Sequence, residues 1–294
     1  MKTLKFPGRI CFILVLLMAF SVNQVIPQVA EISDGSVYPQ VKESVHGPLR
    51  APIVDPVLWD NGPLITHSGI GFGGADISML QDVSLGMSVY GFGHQHSLGY
   101  KVADDFVITN PDGWDITGIT FFAYMTGSTT VSPITGVYFE IYDGDPMLPG
   151  SNVIFGDFVT NRLTNSGFAN IYRVLQSGNL LSNTRPIMAN YCAINLNLGS
   201  GTYWIVWNTD GSNSYSGPWA PPVTILNQAT TGNGLQYTTA WGSLWDTGSS
   251  TWQGAPFVIY GNEQGTLVPV AGWALAIGLI LIIGLAFLRY RRII

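Results

Sequence analysis

Residues 267–288 read LVPVAGWALAIGLILIIGLAFL, with no charged side chain, and Arg289, Arg291 and Arg292 follow at once. At about 1.5 Å of rise per residue, such a run in helical form covers roughly the 30 Å of a bilayer's hydrocarbon. In lipid a backbone amide finds no water, so a lone spanning segment must bond within itself as a helix. Arginines flanking a span stay on the cytoplasmic side. The expectation is one transmembrane helix at 267–288 and a basic cytoplasmic tail at 289–294, with the rest of the chain across the membrane.

The opposite end has the features of a secretory leader. MKTLKFPGR is basic, residues 10–20 form an apolar core, and Ala19 and Ser21 offer small residues for cleavage. We read 1–24 as a signal peptide. Cys11 lies inside that core and leaves with it, so Cys192 remains as the one cysteine and no intrachain disulfide can form. On a strand Cys192 shares a face with Met188, Ile194 and Leu196, the setting of a small buried hydrophobe. Residues 25–56, with prolines at 27, 39, 48, 52 and 56 and no sustained period, read as a linker.

The tail also carries a resemblance. Val268, Pro269, Gly272 and Trp273, then the helix, then Arg289, Arg291 and Arg292 resemble the tripartite C-terminal sorting signals of bacterial exosortase substrates, the PEP-CTERM, IPTL-CTERM and VP-type group. It implies that a sorting transpeptidase is a partner, and that the chain passes to the cell surface or extracellular matrix. Two departures stand against it: there is no Pro-Glu-Pro, and no acidic residue precedes Trp273. A permanent tail anchor is the alternative. The helix stops within a few residues of the last one, which inclines the expectation to a sorting signal.

Between the termini the composition is that of an exported β protein. Charged residues are 10% of the 294, far under the usual quarter, while aromatics reach 12% and glycines number 35. Of the 12 cations, three precede the first apolar run and three follow the last; the six left face 18 acids, a balance of about −12. Nucleic acid, which needs clustered Lys and Arg, is excluded as a partner.

Residues 57–262 alternate. Val137, Phe139 and Ile141 fall on one face with Tyr138, Glu140 and Tyr142 on the other; Ile119 and Phe121 alternate with Thr120 and Phe122. Residues 203–207 and 257–260 are apolar on both faces, as central strands are. Turn-forming Gly, Asn, Asp and Pro separate such runs. This spacing predicts an all-β fold: an antiparallel β-sandwich of jelly-roll type as the ectodomain, with 263–266 a short linker. The single helix candidate inside it is 75–83. Phrases such as LWDNGPLITH, KVADDFVI, GWDITGITFFAYMTGS, TGVYFEIYDGDP and NIYRV resemble a secreted bacterial β-sandwich domain found beside C-terminal sorting tails. That resemblance implies a fold and a location and transfers no catalytic residue.

Candidate chemistry is thin. Gly69, Gly71 and Gly74 fit G-x-G-x-x-G, but no strand-helix-strand unit surrounds them, so they read as a flexible loop. His94 and His96 point the same way on a strand, yet His46 and His67 both lie upstream, and a turn is the simpler reading. Asp104, Asp105, Asp143 and Asp145 are hard oxygen donors that suit a structural calcium, the one cofactor considered, though no D-x-D-x-D-G loop occurs. There is no G-x-S-x-G elbow, and Glu140 is the only glutamate well inside the domain, which disfavours a hydrolase. Trp219, Trp241, Trp245 and Trp252 lie among Ser, Thr, Gly and Asn, as sugar-stacking rings at an extracellular polysaccharide site do; core packing is the alternative. The expected role is structural or adhesive and non-catalytic, at the cell envelope. A carbohydrate-binding module using those tryptophans is the alternative, and an envelope hydrolase the second.

Overall fold

The structure is a computed structural model and describes residues 28–33 and 55–265. The signal peptide, most of the linker, the apolar tail and its Pro269, Gly272, Trp273, Arg289, Arg291 and Arg292 lie outside the described residues. Among the described residues no helix is long and apolar enough to cross a membrane.

The chain is predominantly β. In order it forms β1 (Ala30–Ile32), β2 (Val57–Asp60), β3 (Asp76–Leu80), a one-turn helix α1 (Asp82–Leu85), β4 (Val89–Gly93), β5 (Lys101–Ile108), β6 (Trp114–Thr126) and β7 (Ile134–Tyr142). It continues with β8 (Val153–Asp157), β9 (Asn165–Leu175), β10 (Pro186–Leu198), β11 (Gly201–Gly211), β12 (Ser216–Ala220), β13 (Leu235–Tyr237), β14 (Trp241–Ser243), β15 (Trp245–Asp246), β16 (Thr251–Trp252) and β17 (Phe257–Glu263). A broad sheet runs β1-β4-β12-β6-β10-β9-β3, with β17 joining β6 to β2 beside β12. A second sheet runs β14-β13-β5-β11-β7-β8, and β15-β16 is a separate hairpin. These ladders are antiparallel except that β3 lies parallel to β9.

One core joins the two sheets because inward residues of both alternate onto it. Phe121 of β6 meets Phe139 of β7 at 5.2 Å and Trp207 of β11 at 5.1 Å between ring centroids, and Phe257 of β17 lies 5.9 Å from Trp207. Val137, Phe139 and Ile141 are inaccessible, as the alternation of β7 predicts, while Tyr138, Glu140 and Tyr142 point away. Strand β11, flanked by β5 and β7, is central in its sheet and covered on both faces. Cys192 is in the shared core, where burial pushes its thiol up to about 12.

Two readings of the sequence need correction. Residues 75–83 supply strand β3, with α1 beginning only at Asp82. Four of the five β3 residues are buried: Ile77 and Met79 pack with Tyr172 and Val174, while on the other face Leu80 packs with Leu64 and Tyr90 and Ser78 bonds Arg173, so the polar alternation that marks exposed strands is lost. Within the stretch read as linker, Ala30–Ile32 is a strand, with Ala30 packed against the core and polar contacts on either side of it. The Gly93 N–H donates to the Val29 carbonyl (2.7 Å), Gln236 bonds both Val29 N–H and C=O, and Glu31 reaches Arg185.

The broad sheet curls away from the core, so its outer face is concave. Arg173 on β9, fully buried, donates from Nε to the Tyr90 carbonyl (2.9 Å) and from one terminal nitrogen to that of Val89 (3.1 Å), on β4 four strands away. Its other terminal nitrogen serves Ser78 and Thr224 hydroxyls. The curl closes one end of the concave face over Leu64, Leu80, Tyr90, Tyr124, Ile171 and Ile187. The other end stays open.

Candidate binding cleft

That open end is a cleft of about 810 Å³, a size in the range of small-molecule sites. Register places its floor. Asn165 on β9, Tyr191 on β10, Thr120 on β6, Val258 on β17 and Asp60 on β2 stand in one row across five strands. At about 4.8 Å per strand the row is roughly 19 Å long. The row on one side holds Gly167, Ala189 and Phe122; the row on the other holds Gly118, Tyr260 and Val57. These are the outward partners of the core residues, so the pleat that buries Ile119 and Phe121 presents Thr120 and Phe122 here.

Gly118 makes the floor flat. A Cβ there would stand 2.4 Å from the Tyr191 ring, which lies across the glycine and meets Tyr260 edge-on at 6.1 Å. Burial raises the Tyr191 phenol, and the negative charge of Asp55 adds to the effect. On the far wall the β9–β10 register slips between Ile187 and Met188, and Asn170 takes a left-handed φ of 61° at the bulge, which bends β9 around the cleft. Asp60 and Asp76 each accept one backbone N–H on a single oxygen, from Gly62 (2.9 Å) and Gly69 (2.8 Å), leaving Oδ2 toward solvent. Thr120 is 3% exposed and its hydroxyl has no hydrogen-bond partner. Among the described residues the lining holds Asp55, Asp60 and Asp76 but no Lys, Arg, His or Cys. The lining therefore offers ring faces, amides and carboxylates.

The residues singled out from sequence lie elsewhere. Trp241 packs against Tyr237 at 5.4 Å on the outer face of the second sheet, where Lys101 sits 4.1 Å from the Phe158 ring centroid and Tyr142 donates to Glu140 (2.8 Å). Trp245 and Trp252 meet at 6.2 Å in the β15-β16 hairpin, and Trp252 is 56% exposed. Trp219 packs with Tyr90 and Tyr124 at the closed end of the broad sheet. The four therefore occupy three places. So do the aspartates: Asp104 faces the core and Asp105, its strand neighbour, the opposite side, bonded by Asn233 (3.0 Å). Asp143 and Asp145 form the β7–β8 turn by accepting the N–H groups of Asn152 (2.6 Å) and Met147 (2.8 Å). No grouping of three or more His, Cys, Asp or Glu able to hold a metal occurs among the described residues. His96 stacks on Tyr138 at 3.7 Å whereas His94 is buried, so the two imidazoles do not converge. The glycines at 69–74 lead into β3 through a short 3-10 turn, and no helix long enough for a phosphate site follows.

Two buried titratable groups oppose one another. Burial holds His94 neutral, down to about 3; the Phe92 and Pro218 carbonyls counter this weakly, and neither meets the ring at hydrogen-bonding geometry. Burial lifts Asp104 to about 7, although it accepts the Ala255 N–H (2.7 Å). The unfolded His94 binds a proton below about 6.5, so its contribution to stability falls as pH drops from there to about 3. Asp104 acts in reverse: its contribution is complete below about 3.8 and lost as pH rises through about 7. Between pH 4 and 6.5 the two cancel. Substituting His94→Leu is therefore expected to make stability rise on acidification across that window, by up to about 1.4 kcal/mol per pH unit, as read by denaturant midpoints at successive pH values. An unchanged slope would remove His94 from the account.

Comparison with protein-family models, with curated proteins and with solved structures returns no match.

Proposed function

We propose that this chain is an exported, envelope-held β-sandwich of jelly-roll type with an adhesive, non-catalytic role, and that it docks an extracellular saccharide in the cleft of the broad sheet. The observation that carries the reading is the row Asn165, Tyr191, Thr120, Val258 and Asp60, which sets an amide, an aromatic ring and a carboxylate along one floor. Sugar rings have apolar C–H faces and hydroxyl edges, and such a floor complements both. The leader at 1–24 supports export. The apolar run at 267–288 with its arginines supports a membrane anchor, and the Pro269, Gly272, Trp273 pattern supports handling by a sorting transpeptidase.

A glycan array tests the binding. Saccharide binding is expected, and Tyr191→Ala should reduce it several-fold, up to about tenfold, since stacking on one ring contributes on the order of 0.5–1.5 kcal/mol. Retained binding in Tyr191→Ala but loss in Trp241→Ala would favour a carbohydrate-binding module that uses the second sheet's tryptophans, the reading motivated by the Tyr237–Trp241 pair. Cell fractionation with mass spectrometry of the mature ends tests the anchor. An intact Arg292 in the membrane fraction would favour a permanent span over a sorting signal.

A further inference from the structure

Three carboxylates with no cation beside them constrain what the cleft can take. Asp55, Asp60 and Asp76 line it, and among the described residues no lysine or arginine does. An anionic ligand such as a uronic-acid polymer or a phosphate ester would bring like charge to a site that cannot neutralise it. A neutral sugar would leave the charge unused. The ring faces add an independent demand. Tyr191 lies across Gly118 and meets Tyr260 edge-on, so the floor beside the carboxylates is flat and aromatic. The occupant must therefore present cations to the carboxylates and flat apolar faces to Tyr191, Tyr260 and Phe122 in a cleft roughly four strand spacings wide.

Resting on the saccharide reading above, we infer that the ligand is a polysaccharide of amino sugars with free amines, its ammonium groups directed at Asp55, Asp60 and Asp76 and its ring faces laid on Tyr191 and Tyr260. The pyranose ring supplies the apolar faces, and the protonated amine supplies a charge every residue or two along the chain. A basic peptide matches the charge, but it brings no array of hydroxyls for the polar floor.

The full chain in detergent micelles is titrated with a glucosamine hexamer, its fully N-acetylated counterpart and hexalysine. The glucosamine hexamer is expected to bind at least tenfold more tightly than the acetylated one at low ionic strength. The advantage should shrink as salt is raised, because exposed charge pairs are screened within about 10 Å at 0.1 M. Changing Asp55, Asp60 and Asp76 together to Asn should abolish the preference, a loss of about tenfold from three exposed pairs. Equal or tighter binding of the acetylated hexamer overturns the charge assignment and leaves the saccharide reading standing. Tighter hexalysine binding identifies the cleft as a basic-peptide site and overturns both. If neither hexamer binds while other glycans do on the array, the inference fails and the reading beneath it survives.

Discussion

Glu31→Ala is expected to cost about 3–5 kcal/mol, the range for removing one partner of a buried ion pair. The side chains of Glu31 and Arg185 are 9% and 8% exposed, and their closest contact is 2.9 Å. Glu31 Oε1 accepts from Arg185 and from the Thr126 hydroxyl (2.7 Å), while Oε2 accepts the Tyr124 phenol (2.6 Å). Alanine thus strips three donors of one acceptor group and leaves a guanidinium in the protein without its carboxylate. The cation stands over the Tyr90 ring at 3.8 Å, a contact that holds it in place and cannot replace the lost anion. Because desolvation offsets much of the pair's attraction, replacing both members by apolar residues should be far milder. Denaturant midpoints should therefore rank wild type, then Glu31→Leu with Arg185→Met, then Glu31→Ala. A double variant as unstable as the single one would mean that packing, not charge, dominates there.

Trp207→Ala should cost a similar 3–5 kcal/mol by opening a cavity at the junction of both sheets. The side chain is inaccessible, flanked by Phe121 and Phe257, and surrounded by residues of β6, β7 and β17. Its indole N–H has no partner. Phenylalanine should then lose only about 1 kcal/mol, since the volume deficit is partly offset by removing an unmet donor. Denaturation followed by near-ultraviolet circular dichroism separates the two. Equal losses for Ala and Phe would show that the indole shape, rather than ring volume, organises the core.

How much of this was legible in the residues depended on how local each feature is. The two faces of β7 followed from alternation alone, and the both-sided apolarity of residues 203–207 marked a central strand. Strand β3 was opaque, because a short buried run carries no period that distinguishes strand from helix. The cleft was half visible. Alternation marks Thr120 and Phe122 as outward, but their meeting with Asp60, Asn165, Tyr191 and Tyr260 depends on registers between segments far apart in the chain. The Ser, Thr and Gly around the tryptophans imply exposure, which Trp252 has, but do not tell which of the four share a surface. Leu244, between Trp241 and Trp245, is fully buried and splits that segment into two surfaces.

Strand β1 also guards an edge of the broad sheet. Gly93 and Gln236 hold the Val29 backbone, and Ala30–Ile32 covers the outer amides of β4. A chain shortened to Gln28 would keep that seam stitched. One shortened past Ile32 would leave the edge of β4 bare, and an open strand edge recruits other chains into continuous sheet. Three residues of strand thus stand between a discrete particle and a polymerising one.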